Sequence, residues 1–149
     1  MRWARKFFRL SAAERWMLLR VAFLLGVTRL ALKLIPFRTL HGLLSRGGGS
    51  SRRVSAPDDP YPGQVAWAVG VVGRYVLDDK ACLTQALVGQ FLLKRRGYPA
   101  DLRIGVARAA DGELAAHAWV ECDGLVLIGG PEAMVRRYTP LPRLDEATV

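Results

Sequence analysis

The chain has 149 residues, 51% of them hydrophobic and 23% charged, with a formal net charge of +9. That length holds one domain, or one small domain with an N-terminal extension, and the composition excludes a disordered chain. The charge is unevenly placed: residues 1–53 carry twelve Lys/Arg against the single acid Glu14, whereas residues 54–149 carry ten against twelve. Such an arm suits an acidic peptide, an acidic protein or anionic lipid, and no nucleic-acid motif or stacking aromatic pattern accompanies it.

In chain order, residues 11–44 read as one or two helices. Ser11 is an N-cap, and Glu14 three residues later completes a capping box. Pro36 ends or kinks the run, and Thr39 to Leu44 forms a second short piece. The apolar run from Trp16 to Phe37 is broken by Arg20, Arg29 and Lys33. Each charge would cost roughly 2.5–3.5 kcal/mol inside a bilayer, so a spanning helix is not expected. The run also lacks the small-residue cleavage site of a signal peptide. A helix lying on a membrane surface or docking a partner stays open.

Residues 45–63, rich in Gly, Ser and Pro, read as a flexible linker between the basic helical region 1–44 and a domain over 64–149. Within that domain Gln64 to Val76 is apolar at helical spacing. Leu83 to Arg96 is a second helix, with Leu83, Leu87 and Phe91 on one stripe, cations in its last turn and Gly97 as its left-handed cap. Strand patterns follow over Asp101 to Arg108, Ala115 to Cys122 and Leu125 to Ile128. Asp123-Gly124 between the last two is a type I′ hairpin signal. Helices followed by strands without βαβ alternation predict an α+β fold with an antiparallel sheet.

Two residues carry the chemistry. Cys82 falls at the first turn of the Leu83–Arg96 helix, where unpaired N–H groups and the positive end of the dipole favour a thiolate and can hold an oxyanion. Asp78 and Asp79 work against the thiolate and Lys80 offsets them. A small buried cysteine at a helix start is the plain alternative. His117, Trp119 and Glu121 share one face of their strand, and Ala118, Val120 and Cys122 share the other. Cys122 is therefore expected in the core, away from His117. Two cysteines with no CxxC or Cys/His ligand spacing imply neither a disulfide framework nor zinc; no cofactor is expected, and a reducing, cytoplasmic setting is the default.

The segments Cys82-Leu83-Thr84-Gln85-Ala86-Leu87, Leu92 to Ala100, Leu102 to Val106 and His117-Ala118-Trp119-Val120-Glu121 resemble the transglutaminase-like, papain-like core of lasso-peptide leader peptidases. The likeness covers about residues 75–145, and Leu34-Ile35-Pro36-Phe37 resembles that family's helical N-terminal region. It implies a cysteine protease with Cys82 as nucleophile and His117 as general base. Such an enzyme removes the leader from a ribosomally made precursor and frees the core N-terminus for macrolactam formation by a separate lasso cyclase. It also implies a separate leader-recognition protein; the cations and apolar residues of the 1–44 helices are expected to dock that partner or the cyclase, with the inner face of a membrane as the alternative contact.

The family's triad ends in an Asp on the next strand. Here a two-residue turn pairs His117 near Gly130, so the position falls on Gly129 or Gly130, and neither has a side chain. Glu132 can reach back, Glu121 lies along the same strand, Asp123 is at the wrong end of the hairpin, and a backbone carbonyl or water can orient the ring instead. The third member stays unassigned. Three other functions compete: a non-catalytic peptide-binding module of the same fold, a membrane-surface scaffold, and acyl transfer to an amine.

Overall fold

Ser11 starts the longest helix, as its spacing to Glu14 predicts. The computed structural model describes residues 2–46, 58–76 and 81–143. A short α1 (Arg2–Phe8) leads into α2 (Ala12–Leu34). The Glu14 N–H donates to the Ser11 hydroxyl at 3.2 Å, and the Ser11 N–H donates to the Glu14 carboxylate at 2.8 Å. That N–H, followed by the Ser11 side chain, holds the Glu14 carboxyl below its ordinary value. Pro36 stops α2 as expected. Ile35 before it is extended, with φ −126° and ψ 139°, because the proline ring crowds a helical predecessor. The next helix, α3 (Phe37–Arg46), starts earlier and runs longer than the Thr39–Leu44 piece foreseen.

The predicted linker 45–63 lies largely outside the described residues, as do Asp78, Asp79 and Lys80. Its last three residues are helical. The helix α4 (Tyr61–Val76) begins three residues before Gln64, with Pro62 in its first turn, where a missing N–H removes no intrahelical bond. Asp59 caps it, accepting from the Tyr61 N–H at 3.0 Å.

The central helix is α5 (Cys82–Arg95). It ends in a Schellman motif: the Gly97 N–H donates to the Lys94 carbonyl at 2.9 Å and the Tyr98 N–H to the Leu93 carbonyl at 3.1 Å. Gly97 takes the left-handed conformation this requires, φ +85°. The single stripe predicted for α5 is too narrow. Ala86, Leu87, Val88, Leu92 and Leu93 are all buried, whereas Leu83 and Phe91 are only partly so. The reason is position, since α2 and α4 cover one side of α5 and the sheet covers the other.

Four antiparallel strands, β1 (Ala100–Arg108), β2 (Leu114–Cys122), β3 (Leu125–Ile128) and β4 (Thr139–Pro140), stand in the order β3-β2-β1-β4. A one-turn helix α6 (Glu132–Val135) precedes β4. The Asp123-Gly124 turn has φ of +51° and +80°, both positive as a type I′ turn demands. Past it, Cys122 pairs Leu125 and Glu121 pairs Val126, but Val120 pairs Ile128. Leu127 is thus an extra residue on β3, a bulge that turns the chain just before Gly129.

The α+β fold predicted from the sequence is therefore the fold observed. Leu18, Val21 and Leu25 of α2 sit in one hydrophobic cluster with Val65 and Val69 of α4, Leu87 and Leu93 of α5, and Val120 of β2. Each such side chain, fully buried, stabilises by about 1.5–3 kcal/mol, so the N-terminal helix and the sheet share a core. No helix among the described residues is long and apolar enough to cross a membrane.

Candidate active site

Cys82 is the first residue of α5, preceded by Ala81, which offers no side-chain cap. The N–H groups of that first turn have no partner within the helix itself. The thiol is half-buried. It lines a cavity of about 450 Å³ together with Gln85, Arg74, His117, Gly129 and Gly130. The sequence placed Cys82 and His117 on separate elements, and the fold brings both to this one cavity.

His117 projects from β2 and is held on three sides. Its Nε2 lies 2.6 Å from the Gly129 carbonyl oxygen. A carbonyl can only accept, so Nε2 carries the hydrogen and Nδ1 is the basic nitrogen. The ring lies beside Trp119, 6.2 Å away at 21°, and Tyr138, 5.1 Å away at 31°. Trp119 is itself fixed: its Nε1–H donates to Glu121 at 2.8 Å, and it is only 1% exposed. Gly105 lies against the indole ring and Gly129 against the Trp119 Cα and Cβ. A Cβ at Gly105 would stand 2.8 Å from it, and one at Gly129 would stand 2.9 Å from the Trp119 Cα. Gly129 also has φ +118°, a conformation that disfavours any side chain. The glycine that removed the expected carboxylate is what allows the backbone to aim its carbonyl at the imidazole.

The three acids weighed from the sequence are elsewhere. Glu132 stands in the exposed first turn of α6, where Arg136 Nε donates to it at 3.0 Å. Glu121 accepts from Trp119, and Asp123 forms the exposed hairpin turn. Among the described residues that line the cavity there is no carboxylate. The observed partner of the imidazole is the Gly129 carbonyl, one of the alternatives left open; Glu132 occupies a surface ion pair.

Arg74, Gln85 and Tyr138 are new to the site. Gln85 carries a weak signal, being one helical turn after Cys82, and its carboxamide rests on Gly73, where a Cβ would come within 2.7 Å of the amide carbon. Arg74 comes from α4, and Tyr138 is delivered by the segment leading to β4; neither has a local sequence signature.

Cys122 is buried on the opposite side of β2, in the hydrophobic cluster. Burial first, then the negative charges of Asp123 and Asp101, push its thiol above the ordinary 9.0. His41 lies on α3 against Phe37, outside the cavity. Among the described residues no three His, Cys, Asp or Glu side chains group to hold a metal ion.

No curated protein and no solved structure matches the chain. A protein-family model does, over residues 17–143, a span that runs from α2 through the cavity to the end of β4. A cysteine at a helix start and a strand histidine that line one cavity, in an α+β fold covered almost entirely by that match, accord with the family, and the chain is a member of the transglutaminase-like superfamily, which includes cysteine proteases and transglutaminases.

Proposed function

We propose that this protein is a cysteine peptidase that removes the leader from a ribosomally made lasso-peptide precursor. One observation carries the catalytic part: Cys82 and His117 line the same cavity, with the imidazole locked through Nε2 to Gly129 so that Nδ1 is its basic nitrogen. The likeness of Cys82 to Leu87 and of His117 to Glu121 to the leader peptidases supports the choice of substrate.

The chemistry is acyl transfer. His117 Nδ1 takes the Cys82 proton and the sulfur attacks the scissile carbonyl carbon. The tetrahedral oxyanion meets the Cys82 N–H, with the Gln85 carboxamide, one turn on, as the second donor. Collapse breaks the C–N bond while imidazolium Nδ1–H protonates the departing amine, which is the new N-terminus of the core peptide. The leader stays as a thioester on Cys82. His117 then removes a proton from water, which attacks the thioester, releases the leader as a carboxylic acid and returns the proton to sulfur. A separate leader-recognition protein presents the precursor, and a lasso cyclase receives the freed amine.

The test is incubation of the full chain and a leader-binding partner with a leader–core peptide, read by mass. Wild type yields leader and core, and Cys82→Ala yields neither while folding normally. Products that retain the leader joined to an amine would replace hydrolysis by amine transfer. Intact peptide with the wild-type chain would favour the non-catalytic module.

A further inference from the structure

The helix α2 is apolar on two opposite faces. Leu18, Val21 and Leu25 point into the core. On the other side Trp16, Leu19, Phe23, Val27, Leu30 and Leu34 are 48–75% exposed. Their spacing follows the helical period over nineteen residues, so they form one straight ridge about 27 Å long. Phe8 of α1, 72% exposed, adds to the apolar surface of this basic arm.

Cations accompany the ridge. Arg29 and Lys33 are exposed on the same helix, and Arg2, Arg5, Lys6 and Arg9 are exposed in and just after α1. Arg20 opens into two adjoining cavities of about 450 and 960 Å³, which it shares with Tyr61 and Arg96; Arg95 lines the smaller and Trp16 the larger. Arg96 is already oriented there, its guanidinium 4.1 Å from the centre of the Tyr61 ring. Among the described residues that line these two cavities the one acid is Glu14, whose carboxylate accepts from the Ser11 N–H.

We propose that the outer face of α2 lies in the headgroup layer of an anionic bilayer, its apolar ridge toward the acyl chains and Arg20, Arg95 and Arg96 on lipid phosphates. The ridge is convex, with aromatic and leucine side chains outward and cations beside it, which is the pattern of an interfacial helix. Arg95 and Arg96 sit at the C-terminal end of α5 and Cys82 at its start, about 20 Å apart along the axis, so the cations proposed to meet lipid line other cavities than the one that holds Cys82. The inference does not depend on the peptidase reading.

The experiment sediments the full chain with vesicles of phosphatidylcholine alone, or of phosphatidylcholine and phosphatidylglycerol at three to one. Binding to the anionic vesicles at least tenfold tighter than to the neutral ones is expected, weakening as salt rises. Phe23→Glu should reduce it tenfold or more and Arg95→Glu several-fold, both with an unchanged unfolding midpoint, while Cys82→Ala binds like wild type. Failure of the folded wild type to bind anionic vesicles overturns the proposal, as does undiminished binding by Phe23→Glu. A dimer in solution that Phe23→Glu dissociates would assign the ridge to a second copy. Loss of a leader-binding protein in Phe23→Glu, with vesicles ignored by the wild type, would assign it to that partner.

Discussion

The two faces of β2 use burial differently. On one, Ala118, Val120 and Cys122 are apolar or nearly so and pack into the shared hydrophobic cluster, where shape and volume are all that is required. On the other, His117 and Trp119 are held by named hydrogen bonds, to Gly129 and Glu121, between rings and glycines. A change of volume on the core face shows in stability; the polar face fixes directions, and a change there shows in activity. Because side chains alternate with a period of two, a slip of one residue would exchange the faces and destroy both.

His117→Ala should break the comparison most strongly. Turnover is expected to fall ~10²–10⁴-fold, the usual worth of a general base, with the unfolding midpoint little changed; equal loss of stability would make His117 a packing residue. Gly129→Ala should move both readouts together. Its left-handed backbone costs a side chain about 1–3 kcal/mol, and shifting the carbonyl misplaces the imidazole, which can cost ~10²-fold in rate. Gly112→Ala, at φ +85° but with open space around it, should show the strain alone. If the two variants behave alike, the Gly129 carbonyl does not orient the ring.

The buried cysteine supplies a pH test of the core face. Its thiol is raised in the folded state, so folding favours the protonated form. That contribution is complete below the unfolded thiol's ordinary value and is lost as pH rises through the folded one. Wild type should lose stability more steeply than Cys122→Ala above that point, in parallel denaturation curves. Glu132→Gln is the smallest change. An exposed i,i+4 pair with Arg136 is worth about 0–1 kcal/mol, so turnover should be unchanged; a tenfold drop would return Glu132 to the catalytic group.

Where a signal is local, the sequence carried it. Ser11 and Glu14 specify a helix start, Asp123-Gly124 a hairpin, and the alternation around Trp119 a strand with two faces; Cys82 ahead of an apolar helix marks a site. What could not be read depends on contacts distant in the chain. Every residue owns a carbonyl, so nothing in Gly129 announces that its oxygen meets His117. The bulge at Leu127 is set by how β3 bends against β2, and Tyr138 reaches the ring only because β4 pairs with β1. Pro62 belongs to the Pro-rich stretch that reads as a linker, yet it stands in the first turn of α4, where a proline removes no intrahelical bond. The search for a carboxylate near Gly130 failed for a related reason: it looked for a side chain where the backbone does the orienting.

The most direct measurement is the alkylation rate of each cysteine, read by mass, in wild type and in His117→Ala. In wild type Cys82 should react on the order of a hundredfold faster than Cys122, because the one faces a cavity beside a base and the other is buried and protonated. Removing the imidazole should slow Cys82 tenfold or more and leave Cys122 untouched. A Cys82 rate indifferent to His117 would contradict the pairing from which the proposed chemistry follows.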